Sequence, residues 1–144
     1  MLKPQPMMNN VNVNLDLSAV NDIVFINSKR IQQVFINIIM NAADVLTENE
    51  EDPGGDSSKI LNITSRSTDD EIKLIFRDNG PGIEKSELGQ IFDPFYTTKE
   101  PGKGTGLGLS VSYRMIEEQG GTICAESVKG EGTAITLSLP LFNN

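Results

Sequence analysis

No histidine occurs anywhere in the 144 residues, and that absence removes more chemistry than any other feature of the composition. Imidazole is the side chain that most readily activates a nucleophile, ligates a metal or moves a proton near neutral pH. This chain has no histidine-based nucleophile activation, no histidine metal site and no phosphohistidine of its own. Cysteine is almost as scarce. Cys124 stands alone, so no internal disulfide can form, and its place in an alternating apolar segment predicts a small buried hydrophobe. Basic residues are outnumbered 12 to 20 by acidic ones, for a net charge of −8. An acidic field of that size argues against a nucleic-acid surface, because phosphate backbones are held by clustered Lys and Arg. Any phosphate ligand must be held locally. Long apolar runs are missing too: the stretch from Val34 to Val45 is broken by Asn37, Asn41 and Asp44, which excludes direct membrane insertion through it. Met1 to Asn10 carry Lys3 but no apolar core of signal-peptide length, so they read as a lead-in. The expected location is the cytoplasm.

What is present has the composition of one globular domain, 38% hydrophobic and 22% charged, expected over residues 11–144. Val11, Val13, Leu15 and Leu17 alternate with Asn12, Asn14 and Asp16, the period of a half-buried strand, and Ile23 to Ile26 reads as a second. Ile31, Val34, Phe35, Ile38, Ala42 and Val45 then recur at helical steps from Ser28 to Leu46, with Asn27 or Ser28 as the cap. Thr47 to Lys59 is polar and Gly/Pro-rich, a surface excursion. Ile60, Asn62 and Thr64 open a strand, and Glu71 to Arg77 form another, joined through Ser67 to Asp70 as a hairpin. A short helix is expected at Glu84 to Gln90. A second long one runs from Leu107 to Gln119, apolar along Leu107, Val111 and Met115 and closed by Gly120-Gly121. Strands at Thr122 to Ser127 and Thr133 to Leu139 complete an α/β (α+β) two-layer sandwich: a mixed, mostly antiparallel sheet of about five strands packed on three helices.

Three polar constellations interrupt this scaffold. Asn37 and Asn41 lie one turn apart at the edge of the long helix's apolar stripe, and an amide oxygen is a neutral, hard ligand that Mg²⁺ accepts beside waters and phosphate oxygens. The same pair also reads as ordinary surface amides. Asp78-Asn79-Gly80-Pro81-Gly82 leaves a strand. As bare turn chemistry it needs no ligand; as a site, Asp78 accepts a hydrogen bond from the exocyclic amine of adenine while Gly80 and Gly82 admit the ring. Gly102, Gly104, Gly106 and Gly108 alternate with Lys103, Thr105 and Leu107 and run into a helix. That spacing is neither the dinucleotide fingerprint nor a P-loop. It leaves bare backbone N–H groups at a helix N-terminus, which favour phosphate oxygens. Between them, Phe92 to Lys99 form an aromatic loop that on its own reads as a packing patch or partner surface and, with Lys99 and Lys103 near the phosphates, also as the hinge of a lid, expected over about residues 84–106. Glu100 to Thr105 lack an apolar anchor, so mobility is expected there without nucleotide.

In this order and spacing the elements resemble the N, G1, F and G2 boxes of sensor histidine kinases, within the ATPase group that includes gyrase, Hsp90 and MutL. The resemblance spans about Ser28 to Pro140 and rests on Gln33 to Asn37 through Asn41-Ala42, Asp78 to Ile83, Phe92 to Lys99 and Gly104 to Leu109. The wording Asn-Ala-Ala-Asp and Tyr-Thr-Thr-Lys is similar to the nitrogen-regulator type. It implies a Bergerat ATP-binding fold in which Asn41 coordinates Mg²⁺, Asn37 supports phosphates and metal waters, and Asp78 binds the adenine amine. Gly104, Thr105, Gly106, Leu107, Gly108 and Leu109 line the phosphates, Lys99 and Lys103 act as mobile cations, and Ile83, Phe95, Thr98 and Thr133 complete the nucleotide pocket. Asp44 stands where many members carry Lys. The implied reaction is transfer of the γ-phosphoryl group of ATP to a histidine on a separate dimerisation domain, then to a response-regulator receiver domain, with this chain monomeric. Hydrolytic members of the group carry a Glu where Asn37 stands, and an amide cannot act as general base. A Ser/Thr kinase of the anti-sigma-factor type and a non-catalytic nucleotide-binding module remain as alternatives.

Overall fold

Each run of period-two alternation becomes a strand, and each run of three- and four-residue spacing a helix. The computed structural model describes residues 11–17, 28–47, 59–93 and 108–141. Its strands are β1 (Val11–Leu17), β2 (Lys59–Ser67), β3 (Glu71–Asp78), β4 (Thr122–Val128) and β5 (Gly132–Pro140). Its helices are α1 (Ser28–Thr47), α2 (Lys85–Leu88) and α3 (Gly108–Glu118). The five strands form one sheet in the order β1-β2-β3-β5-β4. β1 pairs with β2 in parallel and the other three pairings are antiparallel, which is the expected mixed two-layer sandwich. The expected lead-in, the strand at Ile23 to Ile26, the excursion at 48–58 and most of the lid lie outside the described residues.

The core forms where the inner face of the sheet meets two helices. Leu61 and Ile63 of β2, Ile72 and Phe76 of β3, and Ile135, Leu137 and Leu139 of β5 are buried against Val34, Ile38, Ala42 and Leu46 of α1 and Ile116 of α3. Each such aliphatic side chain contributes roughly 1.5–3 kcal/mol by leaving water. Phe35 and Phe76 meet at a tilted 47°, centroids 5.9 Å apart, which ties α1 to the middle of the sheet. The Leu107, Val111 and Met115 stripe expected for α3 is corrected. Val111 is exposed, the buried line runs through Ser112 and Ile116, and Leu109 and Met115 pack at its margin. Leu107 lies outside the described residues. A serine at the seam keeps the facing surfaces of α1 and α3 small, so the apolar count alone misplaced the contact face.

Helix α3 stops as its glycines require. Gly120 takes φ +81°, and the N–H of Gly121 reaches back to the carbonyl of Ile116 at 3.0 Å, a Schellman closure. Two further expectations are corrected here. Cys124 is exposed, because β4 is the sheet's edge and Ile123, not Cys124, begins its inward series. In β1 only Val11 is buried, while Val13, Leu15 and Leu17 are 40%, 64% and 63% exposed, so that strand alternates without being half-buried.

Candidate nucleotide site

At the exit of β3 the ladder with β5 ends at Arg77 and Ala134, and side chains take over from the backbone. Asp78, buried with 9% of its surface exposed, accepts hydrogen bonds at Oδ1 from the N–H of Gly80 at 2.9 Å and of Thr133 at 3.3 Å. One carboxylate oxygen therefore joins the turn that follows Asp78 to Thr133, 55 residues along the chain from Asp78. Oδ2 has no partner among the described residues, and since no buried side-chain oxygen lacks one, it faces accessible space. Burial pushes the Asp78 carboxyl above its ordinary pKa, and the two backbone N–H groups draw it back in part.

The two turns interlock closely. The N–H of Gly130 meets the carbonyl of Pro81 at 2.6 Å, and the N–H of Ile83 donates to Ser127 Oγ at 2.7 Å. Gly82 has φ +75°, and a Cβ there would lie 2.2 Å from the carbonyl oxygen of Val128. Gly132 has φ +133°, and its Cβ would lie 2.0 Å from the Asp78 carbonyl oxygen. Both positions need glycine for the approach of one backbone to another. The sequence suggested that Gly82 makes room for a ring; the space it leaves is filled by Val128 and Lys129 of the opposing turn. Asn79, unassigned from sequence, accepts the N–H of Ile60 at Oδ1 (2.8 Å) and so pins the start of β2.

Helix α1 brings the second group of residues to this point. Gly80 sits against its C-terminal turn, where a Cβ would meet Val45 Cγ1 at 3.1 Å and Leu46 Cδ2 at 3.6 Å. Asp44, Asn41 and Asn37 run back along the same helix. The two asparagines differ. Asn37 accepts from Gln33 Nε2 at 2.8 Å and donates to the buried Ser112 Oγ at 3.4 Å, which commits it to the seam between α1 and α3. Asn41, half-buried, has a side-chain amide without a hydrogen-bond partner among the described residues. No cluster of three or more His, Cys, Asp or Glu suited to a cation occurs among the described residues. A hard cation would be held here by the Asn41 oxygen together with ligand phosphates and water, a donor set that Mg²⁺ accepts.

At the far side Gly108 and Leu109 open α3. At the start of the expected lid segment, the ring of Phe92 packs on Tyr113 of α3 at 5.5 Å, with Ile91 buried beside it. Phe95, Thr98, Lys99, Lys103, Gly104, Thr105, Gly106 and Leu107 lie outside the described residues. Two residues of the site were missed from sequence: Ser112, buried under Asn37, and Ser127, which contacts both turns. Ser127 could have been found, since it follows Ile123 and Ala125 on the inner face of β4, where a hydroxyl needs a partner.

A mixed five-stranded sheet covered on one face by two long helices, with a buried carboxylate at a strand exit and, on the facing helix, an amide unpartnered among the described residues, has the form of a nucleotide-binding α/β sandwich. Residues 26–143 match the profile of the histidine kinase-, DNA gyrase B- and HSP90-like ATPases. The chain belongs to that family, as an ATP-binding domain of the sensor histidine kinase type. It is 38% identical over its whole length to sporulation kinase E of Bacillus subtilis, covering 18% of that protein. With the two-component sensor PprA of Pseudomonas aeruginosa it shares 42% identity over 78% of this chain and 12% of that one. The chain thus spans less than a fifth of these curated relatives. Among solved structures, the nucleotide-free catalytic domain of histidine kinase ThkA superposes with a TM-score of 0.73 at 31% identity, over 91% of this chain and 80% of that one. Full-length ShkA in complex with AMPPNP shares the fold, with a TM-score of 0.76 at 20% identity over 93% of this chain and 26% of that one.

Proposed function

We propose that residues 11–144 act in a sensor histidine kinase as the module that binds MgATP and presents its γ-phosphate to a histidine on a separate dimerisation domain, in the cytoplasm. The observation that carries this reading is the division of labour in Asp78: Oδ1 is spent on holding two turns together, while Oδ2 is left to accept the exocyclic amine of adenine. Ile83 and Thr133 border the base. Asn41 would hold the metal, and the cation would supply charge neutralisation on the phosphates. Asn37 orders the phosphate end through its bridge to α3. Gly104, Gly106 and Gly108 with Leu107 and Leu109 offer backbone donors, Lys99 and Lys103 add charge, and Phe95, Thr98 and Thr105 complete the lid across 84–106. Phosphoryl transfer needs alignment and charge neutralisation more than a protein nucleophile. This site has the first two. The N–P bond forms on the incoming imidazole as the bond to the bridging oxygen of ADP breaks, and a response-regulator receiver domain takes the group next.

The test is mixing in trans. With labelled ATP, the 144-residue chain should stay unlabelled, having no histidine, and should label a histidine-bearing dimerisation domain of the parent kinase. Label on Ser, Thr or Asp of this chain would overturn the assignment.

A further inference from the structure

Ser127 makes three hydrogen-bond contacts with a single hydroxyl. It accepts the N–H of Ile83 at 2.7 Å, donates to the carbonyl of Gly132 at 2.9 Å, and lies 2.8 Å from Thr133 Oγ1. A serine hydroxyl has one proton and two lone pairs. The Gly132 carbonyl can only accept, so the Ser127 proton is used there. The remaining contact then requires Thr133 to donate to Ser127. With Thr133 bordering the base, as proposed above, its only hydroxyl proton is then committed to Ser127 and only lone pairs are left for the base. Its own N–H is held by Asp78 Oδ1. The base site is thus lined by two acceptors, Asp78 Oδ2 and Thr133 Oγ1, and by no side-chain donor from this pair.

We propose that Ser127 is a specificity-determining positioning residue: by fixing Thr133 as an acceptor it makes the site select a purine with a 6-amino group over one with a 6-keto group. This rests on the reading of Asp78 as the base-binding carboxylate. A 6-amino group brings two N–H donors to the two acceptors, whereas a 6-keto oxygen meets lone pairs. Without Ser127 Oγ, Thr133 is free to rotate and donate to that oxygen.

The experiment compares ATP with inosine triphosphate, which differ only at the base's 6-position and its N1 protonation, by calorimetry on the 144-residue chain with Mg²⁺ present. Ser127→Ala should lower the ATP-to-ITP affinity ratio about tenfold, the scale of one net hydrogen bond. Thr133→Val, which keeps the Ile83–Ser127 bond, should lower it similarly. In the double variant the second substitution should add nothing, the signature of a residue acting through another. Equal weakening of both nucleotides by Ser127→Ala would make Ser127 mere scaffold and overturn the proposal. An unchanged ratio in Thr133→Val would also overturn it, even if Ser127→Ala fails to fold. Asp78→Asn separates the two levels. If it leaves the ATP preference intact, the base-site assignment itself is wrong; if it abolishes the preference while Ser127→Ala does not, only the role of Ser127 fails.

Discussion

The two ends of the site are built on different terms. At the proposed base end, Asp78 Oδ1, Ser127, Thr133, Gly82 and Gly132 are engaged with one another, and what is left to accept is Asp78 Oδ2 with the lone pairs of Thr133 Oγ1. At the proposed metal end, Asn41 sits one turn along α1 from Asn37, which is held by Gln33 and Ser112, and its own amide has no protein partner among the described residues. The base end is preorganised, so binding there spends little free energy on ordering. The metal end depends on its ligand for completion. Base recognition and cation dependence should therefore separate under mutation.

The largest effect should come from breaking the preorganised end through its backbone. Gly132→Ala and Gly82→Ala each place a Cβ within van der Waals contact of a carbonyl at positive φ, and should cost about 2–5 kcal/mol of stability in chemical denaturation. Gly130→Ala is the control: it shares positive φ (+89°) but meets nothing within 4 Å, so only the conformational cost of roughly 1 kcal/mol should remain. Next comes Asp78→Asn. An amide oxygen can still accept from Gly80 and Thr133, so the fold should persist, while loss of the charge towards the base should weaken ATP by about 10- to 100-fold in calorimetry.

The same variant has a pH signature. The Asp78 pKa is raised in the folded state, so this group's contribution to stability is fully present below 3.8, the ordinary aspartate value, and is lost as pH rises through the raised folded value. Above that range Asp78→Asn should melt at or above the temperature of the parent, and the difference should shrink as pH falls towards 3.8.

Asn41→Ala tests the other end. Its amide has no partner to lose among the described residues, so Tm should barely move, while the gain in ATP affinity on adding Mg²⁺ should drop by about tenfold, the scale of one oxygen ligand's hydrogen-bond-like contribution. A matching loss with and without Mg²⁺ would move Asn41 from the cation to the phosphates. Smallest of all should be Arg30→Ala. Its contact with Glu118 is short, 2.6 Å, but both side chains are about half exposed, and such pairs contribute roughly 0–1 kcal/mol, less in salt.

Much of the sheet and both long helices were legible from spacing, because periods of 2.0 and 3.6 report which residues share a face. Asp78 stood out by turn chemistry, whereas Thr133 came only with the family resemblance. Facing and partner choice were harder to read. Cys124 alternates with apolar neighbours, yet only pairing order shows that its side of β4 is outside. Val111 fits a helical stripe as well as Ser112 does, and the choice is made by α1 packing against α3. What marks Ser127 is the convergence on it of Ile83 and Thr133, which belong to two separate turns.

The glycine contact between Gly132 and the Asp78 carbonyl also sets a rule about order of assembly. Asp78 and Thr133 follow directly on the last rung of the β3–β5 ladder, so a slip of one residue between those strands would turn the carboxylate to the other face of the sheet. The proposed base pocket thus forms only in chains whose central strands have found the right register. A nucleotide that binds it stabilises that register by mass action, and binding becomes a proofreading signal for folding itself.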